Sequence, residues 1–154
     1  MNILLVCTGN TCRSSMAKGL LEQILDEEGD RSIEVDSAGL NVYVPSEASE
    51  YAVEVMDEMG VDISGHRSRQ LTKEDIEKAD LVLVMTPGHR STLIDLFPQY
   101  AGKIDTLLEY AYGQDMPISD PFGLEKDAYR QCALQIRDAL RAVYRKLKAH
   151  EGHS

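Results

Sequence analysis

Cysteine is scarce in this chain, and long apolar segments are missing. Three cysteines among 154 residues cannot form the disulfide framework of a small secreted domain, so a reducing, cytoplasmic environment is expected. No apolar run reaches the length of a membrane span, and the apolar stretch at the start is too short for a signal peptide. The length suits one domain over residues 1–154, which we expect to be a monomer with a disordered polar tail from about residue 150.

Positive charge is in short supply as well. The chain has 16 Lys and Arg residues against 26 Asp and Glu residues, a net charge of −10. Such a surface repels nucleic acid and anionic membranes, so any phosphate site must be locally positive. Neither a G-x-x-x-x-G-K-[ST] loop nor a G-x-G-x-x-G loop occurs, which argues against nucleotide binding. His150 and His153 are a weak pair on the polar tail, and we expect no metal and no other cofactor.

The chain does contain a regular alternation of strand and helix patterns. Apolar runs predict strands at 3–6, 33–39, 81–85 and 104–108, and apolar residues at helical spacing predict helices between them. This order is typical of an α/β fold with a four-stranded parallel sheet and helices on both faces, either flavodoxin-like or Rossmann-like. Ligands of such sheets bind beyond the carboxyl ends of the strands.

Cap and turn signals predict the element boundaries. Helices are expected to begin near Ser14, Pro45-Ser46, Thr72 and Thr86-Pro87. Gly60 is expected to cap the second helix, and Pro98 to stop the fourth. A long loop at 110–122 then precedes the last helix.

The segment around which the chain is organised follows the first strand. Cys7 closes that strand, and Arg13 stands just before the apolar pattern of the first helix. A loop that enters a helix N-terminus gathers free backbone N–H groups at the positive end of the helix dipole, which makes an anion site. Such surroundings also stabilise a thiolate, and an arginine fork can hold two phosphoryl oxygens. The sequence therefore predicts a phosphate cradle with a cysteine nucleophile inside.

The loop Cys-Thr-Gly-Asn-Thr-Cys-Arg-Ser at 7–14 resembles the phosphate loop of the low-molecular-weight protein tyrosine phosphatase family. Within that family, the chain is most similar to the bacterial protein arginine phosphatases. Two further family marks follow in order, Ser37-Ala38-Gly39 and Asp120-Pro121-Phe122-Gly123. One departure is Ser15, where many relatives have proline.

The resemblance implies a role for each residue of the site. Cys7 would be the nucleophile, Arg13 the phosphoryl clamp and Asp120 the general acid. The phosphate-binding set would be Thr8, Gly9, Asn10, Thr11, Cys12, Arg13 and Ser14, with Phe122 at the mouth of the cleft. Ser14 is expected to cap the helix and is also able to donate its hydroxyl to the thiolate. By resemblance alone, Ser37 and His66 would support Asn10.

The other two cysteines have different expected roles. Cys12 would form a disulfide with an oxidised Cys7 and protect it, or else simply pack under the loop. Cys132, on the apolar stripe of the last helix, is expected to be a core residue.

The resemblance leaves the substrate open between phosphoarginine and phosphotyrosine. Thr11 favours phosphoarginine, because tyrosine-specific relatives usually carry isoleucine there, and a phosphoarginine brings N–H donors that need acceptors. The expected substrates are therefore arginine-phosphorylated proteins, with a low-molecular-weight tyrosine phosphatase as the alternative. An arsenate reductase is disfavoured because its electron relay needs further cysteines. A phosphate-binding module without catalysis is disfavoured because both a nucleophile and an acid are present.

Overall fold

The computed structural model describes residues 1–151, and its sheet has the predicted parallel topology. In chain order the elements are β1 (Asn2–Cys7), α1 (Arg13–Glu27), β2 (Glu34–Gly39), α2 (Glu50–Glu58), α3 (Lys73–Lys78), β3 (Leu81–Val84), α4 (Pro87–Leu96), a 3₁₀ helix (Pro98–Lys103), β4 (Ile104–Thr106), α5 (Leu107–Tyr112) and α6 (Lys126–Glu151). The strands lie in the order β2-β1-β3-β4, and every neighbouring pair is parallel. The predicted four-stranded parallel sheet is confirmed.

Two apolar layers cover the sheet, one on each face. Ile3 and Leu5 of β1 pack in the larger layer with residues of α1, α2, α5 and α6. Leu4 and Val6 point to the other face and pack with residues of α3 and α4. Because side chains alternate across a strand, the continuous apolar run of β1 serves both layers. Helices on both faces are therefore confirmed.

The predicted caps explain where several helices begin and end. Thr72 and Asp75 form a reciprocal capping box at α3. The Thr86 hydroxyl accepts from the His89 N–H at the start of α4, with Pro87 at the first helical position. Gly60 follows α2 in a left-handed conformation, as expected of a C-terminal glycine.

Three predicted boundaries were wrong by two residues or more. The fourth strand, predicted over 104–108, ends at Thr106, because the Thr106 hydroxyl accepts from the Glu109 N–H and starts α5 there. The loop predicted from residue 110 accordingly starts only after α5, which ends before Gly113 at φ 72°. The helix predicted from Pro45-Ser46 begins at Glu50.

The C-terminal end of the described chain is helical. Helix α6 continues through His150 and Glu151, where a frayed tail was expected. The rest of that tail, including His153, lies outside the described residues. Within residues 1–151, no helix combines the length and the apolar character needed to cross a bilayer.

The topology places the end of β1 at the centre of the sheet. β1 lies between β2 and β3, so the chain leaves it in one direction to build β2 and later returns on the other side to build β3. This reversal point is where α/β sheets bind their ligands, just beyond the carboxyl ends of the strands.

One ionic cluster ties the last helix to the turn that follows α1. The Asp30 carboxylate lies 2.5 Å from Lys148 Nζ and accepts from the Tyr144 hydroxyl at 2.8 Å. It also accepts from the Ser32 N–H and hydroxyl. Its partners, Lys148 first and then Ser32 and Tyr144, hold the pKa of Asp30 well below its usual value. The folded state therefore favours the carboxylate.

We expect Asp30→Asn to lower the melting temperature at pH 7 by roughly 2–4 °C. Since folding depresses the pKa of Asp30, its contribution is fully present above the unfolded pKa of about 3.9 and is lost as the pH falls below that value. The difference between wild type and variant should therefore shrink between pH 4 and pH 2 in thermal melts. Asp26→Asn, at an exposed position on α1, is the control. An equal loss in both variants would contradict the ionic explanation.

Candidate active site

The predicted cradle is a loop at the carboxyl end of β1. Cys7 is the last residue of β1 and only 3% exposed, and Arg13 is the first residue of α1. The loop between them lines one side of a cleft of about 450 Å³. Cys7 lies among the residues lining this cleft, together with Arg13 and Asp120.

The backbone of the loop is turned with its carbonyl groups outward. The N–H groups of Leu40, Asn41, Ser49 and Met16 donate to the carbonyl oxygens of Cys7, Thr8, Thr11 and Cys12, in that order. The Ser15 hydroxyl also donates to the Cys12 carbonyl, and the His66 ring donates to the Asn10 carbonyl. Across a planar trans peptide, the N–H of the next residue points opposite to the carbonyl. The amides that follow these carbonyls are therefore directed toward the inside of the loop, where an oxyanion would bind.

Asn10 holds this curvature in place. Its φ is 58°, in the left-handed region, and its side chain is completely buried. The Asn10 amide donates to Ser14 Oγ at 2.7 Å and to Ser37 Oγ at 3.0 Å. Its side-chain oxygen accepts from the Arg69 N–H at 3.2 Å. Every polar atom of this side chain thus has a partner, as a buried amide requires.

His66 supports the same residue through the backbone. His66 Nε2 lies 2.6 Å from the carbonyl oxygen of Asn10. A carbonyl only accepts, so the ring nitrogen must carry the hydrogen. Burial is the main cause that lowers the pKa of His66, although the bond to Asn10 opposes it. The structure thus places Ser37 and His66 next to Asn10, on its side chain and its carbonyl respectively.

Ser14 lies against the nucleophile. Its Oγ is 2.9 Å from Cys7 Sγ. Because the same oxygen accepts from the Asn10 amide, its hydroxyl hydrogen is available to donate to a thiolate. The expectation that Ser14 caps α1 was wrong, since the helix begins at Arg13 and the preceding Cys12 makes no side-chain cap bond.

Arg13 connects the loop to the segment that carries Asp120. The Arg13 side chain is buried, with 6% of its surface exposed. One terminal nitrogen donates to the Ile118 carbonyl at 2.8 Å, and the other lies 3.6 Å from an Asp120 carboxylate oxygen. The other Asp120 oxygen accepts from the Phe122 N–H at 3.0 Å, and the Asp120 side chain is 52% exposed. Asp120 is therefore held at the rim of the cleft, on the solvent side of Arg13.

The walls of the cleft come from several segments. Thr11 and Phe122 line it as predicted residues, and Phe122 is largely exposed. Tyr43 and Val44, from the loop after β2, also line the cleft and are also exposed. Sequence reasoning missed these two. An exposed aromatic residue shortly after the Ser37-Ala38-Gly39 mark was the available signal.

The remaining cysteines are both buried thiols. Cys12 Sγ lies 3.3 Å from Ser49 Oγ and 3.7 Å from the Tyr129 hydroxyl. Its protective role toward Cys7 stays a prediction. Cys132 lies in α6, its sulfur is 3.7 Å from the Ser119 carbonyl, and burial raises the pKa of this thiol to about 12. Cys132 is thus a core residue in its thiol form.

A histidine that sequence reasoning missed stands behind the loop. His89, on α4, is buried, and its Nε2 lies 2.8 Å from the Thr8 hydroxyl. Burial first and the Arg13 charge second lower the pKa of His89 to about 4. Its position could have been inferred from topology, since β3 neighbours β1 and the segment after β3 must lie beside Cys7.

Gly39 allows the loop to approach the end of β2. A Cβ at this position would stand 2.7 Å from the Thr8 carbonyl oxygen, 2.6 Å from the Val42 side chain and 3.1 Å from Asn10 Cβ. Real Cβ atoms do not approach backbone atoms this closely, so any side chain here would displace the loop.

The chain is similar to one protein family along nearly its whole length. The family model of the low molecular weight phosphotyrosine protein phosphatases matches residues 2–152. A protein-arginine-phosphatase of Bacillus subtilis (strain 168) is 40% identical over 148 residues, which cover 96% of this chain and 97% of that protein. The low molecular weight protein-tyrosine-phosphatase Etp of Escherichia coli (strain K12) is 34% identical over 128 residues, covering 83% and 82% respectively.

Solved structures have the same architecture. The YwlE arginine phosphatase of Geobacillus stearothermophilus superimposes with a TM-score of 0.91 at 39% identity, covering 99% of this chain and 96% of that one. A cysteine-to-serine mutant of the YwlE arginine phosphatase, with a phosphorylated active-site serine, gives a TM-score of 0.92 at 40% identity, covering 96% of both chains.

We expect Gly39→Ala to weaken phosphate or vanadate binding about 10-fold or more, because the Thr8 and Asn10 backbone must move to make room. Isothermal titration measures the affinity, and circular dichroism checks that the fold is kept. Gly102→Ala is the matched control, since a Cβ there meets nothing within 4 Å. Unchanged oxyanion affinity in Gly39→Ala would show that the close approach does not shape the cradle.

Proposed function

Because the chain belongs to the low molecular weight phosphotyrosine protein phosphatase family, we propose that it hydrolyses phosphoarginine in proteins through a phosphocysteine intermediate. Members of this family are hydrolases with cysteine-based catalysis. The relatives at 40% identity that are named protein-arginine-phosphatases support the finer assignment.

The proposed reaction has two steps. In the first, the Cys7 sulfur bonds to phosphorus as the phosphorus–nitrogen bond breaks, and Asp120 gives its proton to the departing guanidine nitrogen. In the second, water attacks the phosphocysteine, Asp120 takes a proton from that water, and phosphate leaves as the Cys7 thiolate returns. The inward amides and Arg13 stabilise the charge on the equatorial oxygens in both steps. The phosphorylated serine of the YwlE mutant supports the nucleophile assignment.

The observation that carries the arginine assignment is the place of Thr11 in the cleft. Thr11 lines the same cleft as Cys7 and Asp120, and it is the loop residue whose hydroxyl replaces the apolar isoleucine of tyrosine-specific relatives. A phosphoarginine brings N–H donors into this wall, and donors that lose water without gaining an acceptor cost about 1–3 kcal/mol each. The Thr11 hydroxyl oxygen and the carbonyl oxygen of the Asp120 carboxyl group are able to accept from them.

Phosphotyrosine hydrolysis is the second candidate, and the aromatic wall of the cleft favours it. Tyr43 and Phe122 are 92% and 69% exposed, and both line the cleft, so each offers an aromatic face to a phenyl ring. The same faces also suit a guanidinium plane, because arginine stacks on aromatic rings. The aromatic wall therefore accepts both substrates, whereas Thr11 separates them.

Arsenate reduction has less support. The electron relay of an arsenate reductase would need a further reactive cysteine besides Cys7 and Cys12. Cys132 is buried in α6, and its pKa is raised to about 12, so it stays a thiol at neutral pH. A thiol attacks a disulfide far more slowly than a thiolate does.

The direct test compares kcat/KM on two peptides of the same sequence, one with phosphoarginine and one with phosphotyrosine. We expect the phosphoarginine peptide to be the better substrate. The negative control is Cys7→Ser, which should bind phosphate or vanadate but should not release phosphate from either peptide. A clear preference for phosphotyrosine would replace the arginine assignment with the second candidate. Turnover by Cys7→Ser would remove Cys7 from its role.

We expect Asp120→Asn to slow the first chemical step by about 10²–10⁴-fold, the usual effect of removing a general acid. The amide keeps the shape of the side chain but has no proton of suitable acidity to give. The loss should be much smaller on para-nitrophenyl phosphate, whose leaving group departs without a proton. Rapid-mixing kinetics on both substrates measure the step. An equal loss on both would contradict acid catalysis by Asp120.

We expect Thr11→Ile to lower the rate on phosphoarginine about 10-fold or more, because the wall loses an acceptor, and to raise the rate on phosphotyrosine. Thr11→Val and Thr11→Ser separate the contributions of the hydroxyl and the methyl group. Valine keeps the shape and should behave like isoleucine on phosphoarginine, whereas serine keeps the oxygen and should stay close to wild type. If Thr11→Val keeps the full phosphoarginine preference, the hydroxyl is not the selector.

The remaining expectations about the protein stay predictions. These are action in the cytoplasm, a monomeric state, a single domain over the chain and redox protection of Cys7 by Cys12. Arginine-phosphorylated proteins would be its partners as substrates.

A further inference from the structure

His89 has no role in the proposed reaction, yet its ring contacts Thr8 of the phosphate loop. Thr8 follows the nucleophile directly, is exposed, and lines the catalytic cleft. It also borders a second cavity of about 410 Å³ on the side of α4, where His89 stands. The Thr8 side chain thus forms part of the wall between the cleft and α4, with the His89 ring 2.8 Å from its hydroxyl oxygen.

The two ring nitrogens of His89 have different surroundings. Nε2 meets the Thr8 hydroxyl, whereas Nδ1 is buried and has no hydrogen-bond partner among residues 1–151. In a neutral imidazole, one nitrogen carries the hydrogen and the other has a bare lone pair. Buried N–H groups without a partner are rarer than buried acceptors without one. The hydrogen is therefore better placed on Nε2, where it points at Thr8.

We propose that His89 is a positioning residue whose Nε2–H donates to the Thr8 hydroxyl oxygen, which directs the Thr8 O–H hydrogen into the cleft toward a bound phosphoryl group. This inference deepens the proposed function, because it assigns a second-layer residue to the same phosphate site.

The electrostatics of the ring fit this role. With its pKa lowered to about 4, His89 is neutral at physiological pH, so it adds no charge that would compete with Arg13. A hydroxyl has one hydrogen and two lone pairs. Once a lone pair of Thr8 is occupied by His89, the hydrogen remains for an acceptor on the cleft side. A phosphoryl oxygen carries charge and is a strong acceptor.

The position of α4 keeps the ring in place. His89 is the third residue of this helix, and its own N–H is bound by the Thr86 hydroxyl. His89 is only 8% exposed. The imidazole therefore approaches Thr8 from a rigid helix end, which limits the orientations open to the hydroxyl.

The test uses three substitutions at His89 and the substrate para-nitrophenyl phosphate, together with vanadate binding. We expect His89→Leu to raise KM and weaken vanadate affinity by roughly 3- to 10-fold, about the effect of one neutral hydrogen bond. His89→Gln, whose amide reaches the position of Nε2, should stay close to wild type. His89→Asn, whose amide reaches only the position of Nδ1, should behave like His89→Leu.

Coupling between the two residues separates positioning from a purely structural role. In a Thr8→Val background, His89→Leu should cause no further loss of vanadate affinity, because the hydroxyl that it orients is gone. Thr72→Val removes the cap of α3, which is not part of the His89 to Thr8 contact, and it should leave vanadate affinity unchanged even if it lowers the melting temperature. Independent, multiplicative losses from Thr8→Val and His89→Leu would overturn the proposal. A failure of His89→Gln to retain vanadate affinity would also overturn it.

These measurements are independent of the arginine assignment. Vanadate and para-nitrophenyl phosphate probe the phosphate site alone, so a protein that prefers phosphotyrosine would give the same pattern if the inference about His89 is right. If phosphoarginine is the substrate and the coupling is absent, only the inference about His89 fails.

Discussion

The phosphate loop depends on one residue in a left-handed conformation. Asn10 reverses the direction of the backbone between β1 and α1, which for a non-glycine residue costs about 1 kcal/mol. Four hydrogen bonds offset this cost, three through the side chain and one from His66 through the carbonyl. Because the carbonyl groups of Thr8, Asn10 and Thr11 are bound from outside the loop, the amides that follow them are directed inward. The anion site is therefore a property of the backbone, held by neutral side chains.

This arrangement reconciles an acidic protein with an anionic ligand. A net charge of −10 repels a phosphorylated protein at a distance. At close range, the cradle offers backbone dipoles, the N-terminal end of α1 and the buried Arg13, which lines the same cleft as the nucleophile. Fields from such groups are strong in a buried site and fade quickly in water. The site thus binds phosphate by local geometry, without an extended basic surface.

Features built from residues that are close in the sequence could be predicted, whereas contacts between distant segments could not. The parallel α/β architecture and the cradle at 7–14 could be predicted because strand, loop and helix follow one another within a few residues. The end of β4 was not, because the cap formed by Thr106 overrides an apolar run that continues past it. The supports from Arg69 and His89 come from distant segments, and only the neighbouring strands bring them to the loop. Local spacing also suggested a cap at Ser14, whereas the fold turns that hydroxyl toward Cys7.

The hydrogen bond from Arg13 to the Ile118 carbonyl connects the cradle to the segment that carries Asp120. A ligand that draws the guanidinium toward itself must weaken that bond, which changes the free energy of the segment two residues before Asp120. By reciprocity, anything that stabilises one position of this segment changes the affinity of the cradle by the same factor. A contact made to the 113–122 loop, far from the phosphate site, is therefore able to change the affinity for phosphate. The Arg13 side chain thus joins the phosphate loop directly to the loop that carries Asp120.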